Sequence, residues 1–573
     1  MSRSISLAAL LSLLMAVPSA ATSCPIYGPV FPTPTKLTES IVAKSALQNL
    51  SESISASFEH GKSAYGPVDS TAAYAIQIFS LDTEDPLLEY YHDGTTLSNA
   101  TGVRKIDGDS IFRIGSISKL LTIYLFLAKL GDSLWNDPVT KHIPELRNRD
   151  RSQENPVEYV NWDGITLGAL AGHVAGLPRD LIDLLGLYAN TDETFGLPPL
   201  SPADYPSCVL TATNYTCDRN KFFESINERQ PTFLPNTKPA YSNTAFMLLG
   251  YALETITGQP YKEILKDSLI DPLGLTGTSY SKPEDDEGVV PINASVSDWA
   301  RDFGDAAPIG GLYASTNDLA RIGRSILNST LLDKNITRAW LQPTSFTSSL
   351  FGVVGRPWEI FRAADIGPSK RLVDIYTKGG DIGMYHTNLA VIPDYNIGFV
   401  TAVAGQGSHV FLDNLIVDVL FPVVEEAARE QADARYAGTY KARNGLNSSL
   451  AISTDPQLPG LGVSSWISNG TDFLSAFSSL FAGTPITLSN LRIYPTNLRR
   501  QAGNGTEEAW RMGLDFGSDS EVVGPFSACG SWFSVDLLAV GKRAVDEFLF
   551  TLGGDEDETT VSPSGFDIIL YKE

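Results

Sequence analysis

The sequence predicts an α+β protein whose sheet is completed late in the chain, followed by a smaller β-rich domain. Three observations carry this. Strand-like runs stand at both ends of one long region, with helical patterns between them. The stretch "FRIGSISKLLTIYLFLAKLG", from Phe112 to Gly131, is apolar on every side and reads as a buried helix. Beyond about residue 430, short strand-like runs alternate with Gly, Asn and Asp turns.

Taken in order, "MSRSISLAALLSLLMAVPSAATS" carries Arg3, an apolar run from Leu7 to Val17, and then small residues, with Ser19 and Ala21 before a cleavage point. It reads as a secretory signal over 1–21, too short in its apolar part to span a bilayer. A Pro-rich arm over 22–37 follows, with no regular pattern. Helical spacing runs from Thr38 to about Phe58. "AAYAIQIFSL" and "LLEYYHDG" then read as a hairpin turning at "DTEDP". After the apolar helix, a long middle region mixes helices with Pro/Gly loops. "LVDIYTKGGDIGMYHTNLAVIPDYNIGFVTAVAG" supplies three more strands, broken at Gly379–Gly380 and at Pro393–Asp394. "HVFLDNLIVDVLFPVVEEAAREQADA" closes this domain, 38–430, as a helix. In the second domain, 431–573, strands are expected in "LRIYPTNLRR", "EAWRMGLDF", "WFSVDLLAV", "DEFLFTLG" and "FDIILYKE".

The chain has 573 residues and a formal charge of −24, which repels phosphate and excludes nucleic acid or an anionic membrane as a partner. No segment after the leader is long and apolar enough for stable membrane insertion, so the expected location is extracellular. In an oxidising compartment its four cysteines pair, with Cys208–Cys217 the natural short loop and Cys24–Cys529 the remainder. Glycosylation sequons stand at Asn49, Asn99, Asn214, Asn293, Asn328, Asn335, Asn447, Asn469 and Asn504. Six histidines without a His-x-x-x-His pair indicate neither metal nor other cofactor. The acidic run "GGDEDETT" reads as a solvated loop.

Chemistry begins at Ser116 and Lys119. Three residues apart at a helix start, they share a face, so the amine reaches the hydroxyl, whereas Ser118 points elsewhere. Burial among Leu and Ile, the positive helix end and any second cation all push Lys119 toward its neutral form, which accepts a serine proton. The free N–H of Ser116 can help hold an oxyanion. A second Ser-x-x-Lys, Ser279 to Lys282, sits in a loop and is set aside. Tyr-x-Asn follows at Tyr241 and Asn243, just before an amphipathic helix, with a weaker copy at Tyr188. Lys-x-Gly stands at Lys378 and Gly380.

Ser-x-x-Lys, Tyr-x-Asn and Lys-x-Gly in this order resemble the serine β-lactamase and penicillin-binding-protein family. "ITLGALAGHVAGLP", "GYALETITGQPYKEILKDSLIDPLGLTGT" and "PIGGLYASTNDLARIGRSIL" are similar to its connecting stretches, and the likeness covers Thr38 to Asp433. It points to the class C and esterase-like branch. The resemblance implies an antiparallel sheet flanked by helices plus a helical subdomain. It also implies Ser116 as acylated nucleophile, Lys119 as its proton acceptor and Tyr241 as proton shuttle. Asn243 would bond a substrate amide or orient Lys119, and Lys378 would keep the Tyr241 phenol acidic. The N–H of Asp381 would be the second oxyanion donor. His173 is structural in the matching stretch, and His386 reads as a strand residue facing a partner.

One departure bears on substrate. Where many β-lactamases place Thr or Ser between the Lys and Gly, this chain has Gly379, and Asp381 follows Gly380. Losing a hydroxyl donor and gaining a carboxylate disfavours an anionic β-lactam or peptide C-terminus. The expected function is therefore a secreted serine hydrolase acting on a small-molecule ester, lactone or amide. The alternatives are an acyltransferase or cyclase tailoring natural products, a β-lactamase or D-amino-acid peptidase, and a catalytically silent binding protein.

Overall fold

The helical spacing after Thr38 forms α1 (Ile41–His60), and the next two runs pair antiparallel as β1 (Ala73–Ser80) and β2 (Leu88–His92). Every residue of β1 is buried, so its sequence is apolar without alternation. The computed structural model describes residues 25–98, 101–147, 149, 151–182, 201, 205–210, 214–478, 491–514, 531–553 and 558–573. The expected leader, Cys24, Asn99, Tyr188, Cys529 and the middle of the acidic run after Gly553 lie outside these.

A short strand, β3 (Ile111–Arg113), leads into α2 (Ile117–Leu130), buried from Ile117 through Leu127. Helix α3 (Asn243–Thr257) packs on it and ends at Gly258, which adopts a left-handed φ of 70°. Strand β4 (Tyr313–Ser315) pairs with β3, setting Arg113 opposite Tyr313, and passes into α4 (Thr316–Leu327). Strands β5 (Ser345–Phe346), β6 (Gly352–Val354), β7 (Glu359–Ile366), β8 (Arg371–Ile382), β9 (Tyr385–Ile392) and β10 (Ile397–Ala404) follow. They join β1 and β2 in one eight-stranded sheet, ordered β2-β1-β10-β9-β8-β7-β6-β5. Phe399 of β10 lies opposite Ile78 of β1, so the sheet opened at residue 73 is closed only after residue 397. The break expected at Gly379–Gly380 is absent. β8 runs through both glycines, and the chain turns at Gly383, whose φ is +55°.

Helix α5 (Val410–Tyr436) ends the region. One compact unit holds Ser45–Arg362 and Asp374–Val419; the other holds the N-terminal arm up to Lys44, Ala363–Val373 and Leu420–Glu573. In the second unit nine strands are ordered β12-β11-β19-β18-β17-β16-β15-β13-β14. They are β11 (Gly438–Ala442), β12 (Ser449–Asp455), β13 (Leu458–Ser468), β14 (Thr471–Asp472), β15 (Leu491–Ala502), β16 (Gly505–Leu514), β17 (Glu547–Leu552), β18 (Thr560–Pro563) and β19 (Leu570–Lys572). β12 also pairs with β13, which closes the sheet into a barrel around Trp466, Trp510, Phe548 and Phe550. Val30 and Phe31 of the irregular arm are buried in that same core. "WFSVDLLAV" departs from expectation. Ser531–Phe533 is a single 3₁₀ turn, and only Ala539–Val540 pairs, with Arg543–Ala544.

The Cys208–Cys217 disulfide is present. Eight of the nine sequon asparagines are described, and all eight are exposed. Among the described residues no helix is long and apolar enough to cross a membrane.

Arg113 fixes the approach to α2. Fully buried, its guanidinium donates to the carbonyls of Asp298 and Arg301, each at 2.7 Å, and to that of Gly311 at 3.4 Å. It also stacks 4.6 Å from the Tyr313 ring centroid. Replacing Arg113 with Met strips the carbonyls of Asp298, Trp299, Arg301 and Gly311 of a charged donor and is expected to cost about 3 kcal/mol. Chemical denaturation at constant m-value measures this.

Candidate active site

The first turn of α2 is built to expose one hydroxyl. Gly115 takes φ +47°, and Ser116 stands at the N-cap position of the helix. Ser118 turns away, donating to the Gly115 carbonyl at 2.7 Å and accepting the Leu312 N–H at 3.2 Å. Lys119, fully buried, brings Nζ to 3.1 Å from Ser116 Oγ, and its other partner is the Ile309 carbonyl. Burial pushes its ammonium below the usual lysine range, Lys378 pushes in the same direction, and Tyr241 opposes.

Tyr241 reaches Ser116 from the start of α3, its hydroxyl 2.7 Å from Ser116 Oγ. The residue inside Tyr-x-Asn explains how. Ser242 caps α3, accepting the Ala245 N–H at 3.0 Å and donating to the Pro178 carbonyl at 2.7 Å. Three cations ring the phenol: Arg179 at 4.8 Å, Lys119 at 5.0 Å and Lys378 at 5.5 Å from its centroid. Burial raises the Tyr241 pKa, but the two ammonium groups outweigh it and hold the phenol below its ordinary value. His173 stacks on the same ring at 4.6 Å, and its Nδ1 accepts the Ser242 N–H at 3.1 Å. Burial holds it well below the normal histidine range, so it is a neutral support for Tyr241.

Lys378 is equally buried yet shifts the other way. Burial lowers its pKa, but Glu359 more than compensates, and the net direction is up. Glu359 Oε1 accepts from Lys378 Nζ at 2.6 Å, while Oε2 accepts the Gly379 N–H at 3.0 Å. Gly380 lies against the backbone of Ile114 and Ser116. A Cβ there would overlap the Ile114 carbonyl and stand 2.9 Å from the Ser116 nitrogen. A Cβ on Gly115 would stand 2.8 Å from the Asp381 nitrogen. The N–H groups of Ser116 and Asp381 thus belong to backbone segments in direct contact.

Ser116 opens into a cavity of about 790 Å³, also lined by Asn243, Asp381, Tyr215 and Phe303. The Asn243 amide donates to Asp180 at 2.6 Å. Asp381 pairs with His386 at 2.7 Å, so the partner expected for that histidine is the rim carboxylate. Lys282 of the second Ser-x-x-Lys is committed to Asp285 at 2.7 Å. Sequence reasoning missed Glu359, Arg179 and Asp180. The hairpin joining β7 to β8 at Gly367–Lys370 brings Glu359 alongside Lys378, a pairing that no local sequence pattern announces.

The family described as Beta-lactamase matches residues 87–419, and one described as a beta-lactamase-like C-terminal domain matches 428–573. A beta-lactamase-like protein of Arthroderma benhamiae is 32% identical, over 92% of this chain and 92% of its own. The "Probable hydrolase M10" of a Phoma species is 30% identical, over 81% and 75%. Among solved structures, a beta-lactamase/D-alanine carboxypeptidase from Yersinia pestis aligns with TM-score 0.47 and 22% identity, covering 67% of this chain and 98% of that one.

Because Gly380 has no room for a side chain, Gly380→Ala must part β8 from the Ser116 backbone. Its kcat/KM toward any acyl substrate is expected to fall about 100-fold with the fold intact, read by steady-state kinetics beside circular dichroism.

Proposed function

This chain belongs to the beta-lactamase family, and on that premise we propose that it is a serine hydrolase working through an acyl-enzyme on Ser116. One observation carries the reading: Ser116 Oγ lies within hydrogen-bond reach of both Lys119 Nζ, at 3.1 Å, and Tyr241 OH, at 2.7 Å. Neutral Lys119 takes the hydroxyl proton as Oγ attacks the substrate carbonyl. The N–H groups of Ser116 and Asp381 hold the oxyanion. As the intermediate collapses, the proton passes from Lys119 through Tyr241 to the leaving alcohol or amine. Water then attacks the ester with Tyr241 as general base, giving its proton back to Ser116 Oγ as the acid leaves. Lys378 keeps its charge throughout and favours the phenolate form of Tyr241. The substrate class is a neutral ester, lactone or amide, consistent with the carboxylate of Asp381 at the rim.

The proposal extends to location. The leader pattern and the eight exposed sequon asparagines support secretion and glycosylation, with which the Cys208–Cys217 disulfide is compatible.

Intact-mass analysis after incubation with 4-nitrophenyl acetate is expected to show one acetyl group on the parent protein, mapped to Ser116, and none on Ser116→Ala. An unmodified parent protein, across esters, lactones, D-peptides and penicillins, defeats the reading in favour of a silent binding protein.

The pH profile tests the proton inventory. Activity needs Lys119 deprotonated, and its lowered pKa sets the rise of kcat/KM with pH below the ordinary lysine range. The raised pKa of Lys378 keeps that cation in place across the rise. Lys378→Met removes a charge that lowers both Lys119 and Tyr241, so the acid limb is expected to move to higher pH.

A further inference from the structure

Among the described residues, three cations around Ser116 other than Lys119 are matched by a carboxylate of the chain. Arg179 pairs with Asp180 at 3.4 Å, Arg301 with Asp298 at 2.8 Å, and Lys378 with Glu359 at 2.6 Å. The third pair differs from the others. Glu359 presents both oxygens to β8, one to the ammonium and one to the Gly379 N–H. It so fills two neighbouring donors, the ammonium 5.5 Å from the Tyr241 centroid and the N–H one residue before Gly380, which abuts the Ser116 backbone. A carboxylate on a substrate would seek that same pair of donors, a cation and an adjacent N–H.

We infer that Glu359 is a specificity-determining residue that occupies a latent carboxylate subsite and so restricts the enzyme to substrates uncharged on that side. The inference rests on the proposed hydrolase reading and deepens it. The glycine next to Lys378 supports it: a Cβ at Gly379 would lie 3.4 Å from Glu359 Oε2, so the space a side chain would use is the space facing this carboxylate. Glu359 is 39% exposed, so it is anchored by Lys378 yet still faces solvent, where an arriving anion meets its charge. Asp381, more exposed and on β8 beside Gly380, adds to the repulsion. Glu359 has a second effect as a positioning residue. It screens Lys378, and Lys378 in turn holds down the Tyr241 phenol.

The experiment compares 4-nitrophenyl acetate with 3-carboxy-4-nitrophenyl acetate, which differ by one carboxylate on the leaving group. In Glu359→Gln, the ratio of kcat/KM for the anionic ester to that for the neutral one is expected to rise at least ~10-fold over the parent protein. The acid limb for the neutral ester is expected to move to lower pH, because Lys378 loses its screening partner; a purely structural role would not move it. An unchanged ratio overturns the inference even where both esters acylate Ser116. Should no ester acylate the parent protein, the hydrolase reading fails, and calorimetry decides the subsite alone. Benzoate binding to Ser116→Ala/Glu359→Gln but not to Ser116→Ala sustains it, and equal behaviour of the two overturns it.

Discussion

The structure turns on the burial of one amine. Lys119 is removed from water, bonded to the Ser116 hydroxyl and the Ile309 carbonyl, with no carboxylate paired to it. A charged ammonium there carries a desolvation cost that lowers its pKa from the ordinary lysine value, and the Lys378 charge pushes the same way. The surrounding architecture serves that condition. An apolar helix surrounds the amine, Arg113 holds the strand leading into it, and Gly115 and Gly380 let two backbones meet at its first turn.

Lys119 and Lys378 make the same point by contrast. Both are buried, and they shift in opposite directions because Lys378 is paired directly with a carboxylate at 2.6 Å. Tyr241, with its ring centroid 5.0 Å from one amine and 5.5 Å from the other, feels both. On the proposed reading, the lowered lysine is the proton acceptor and the raised one the fixed charge. The division of labour comes from the position of Glu359 rather than from any difference between the two side chains.

Sequence revealed the frame of this site but not its electrostatic wiring. Ser116 with Lys119 was legible because helical periodicity places i and i+3 on one face, and the late strands because apolar runs bounded by turns survive without context. The union of β10 with β1 was inferable as a class of topology, and their register followed from the structure alone. Gly379–Gly380 read as a break because glycine is favoured in turns. In the structure the pair stays extended, since Gly380 is needed for contact with the Ile114 carbonyl, a demand no local pattern announces. "WFSVDLLAV" read as a strand from composition, yet most of it finds no partner strand, and tertiary context overrode propensity. Glu359 was invisible because its meaning lies in a pairing across a hairpin.

The wiring also accounts for an apparent conflict between charge and site. A chain with a net charge of −24 concentrates Lys119, Arg179 and Lys378 around one phenol. Left unmatched, such a cluster would draw anions into the cleft and hold them there. Pairing Arg179 with Asp180 and Lys378 with Glu359 weakens that field at the mouth, where solvent screens what remains. At the Tyr241 ring the field persists because Lys378 is buried, with its ammonium 5.5 Å from the ring centroid. The same ion pair thus separates what a substrate meets from what the catalytic phenol feels, and a cleft can be rich in cations without being selective for anions.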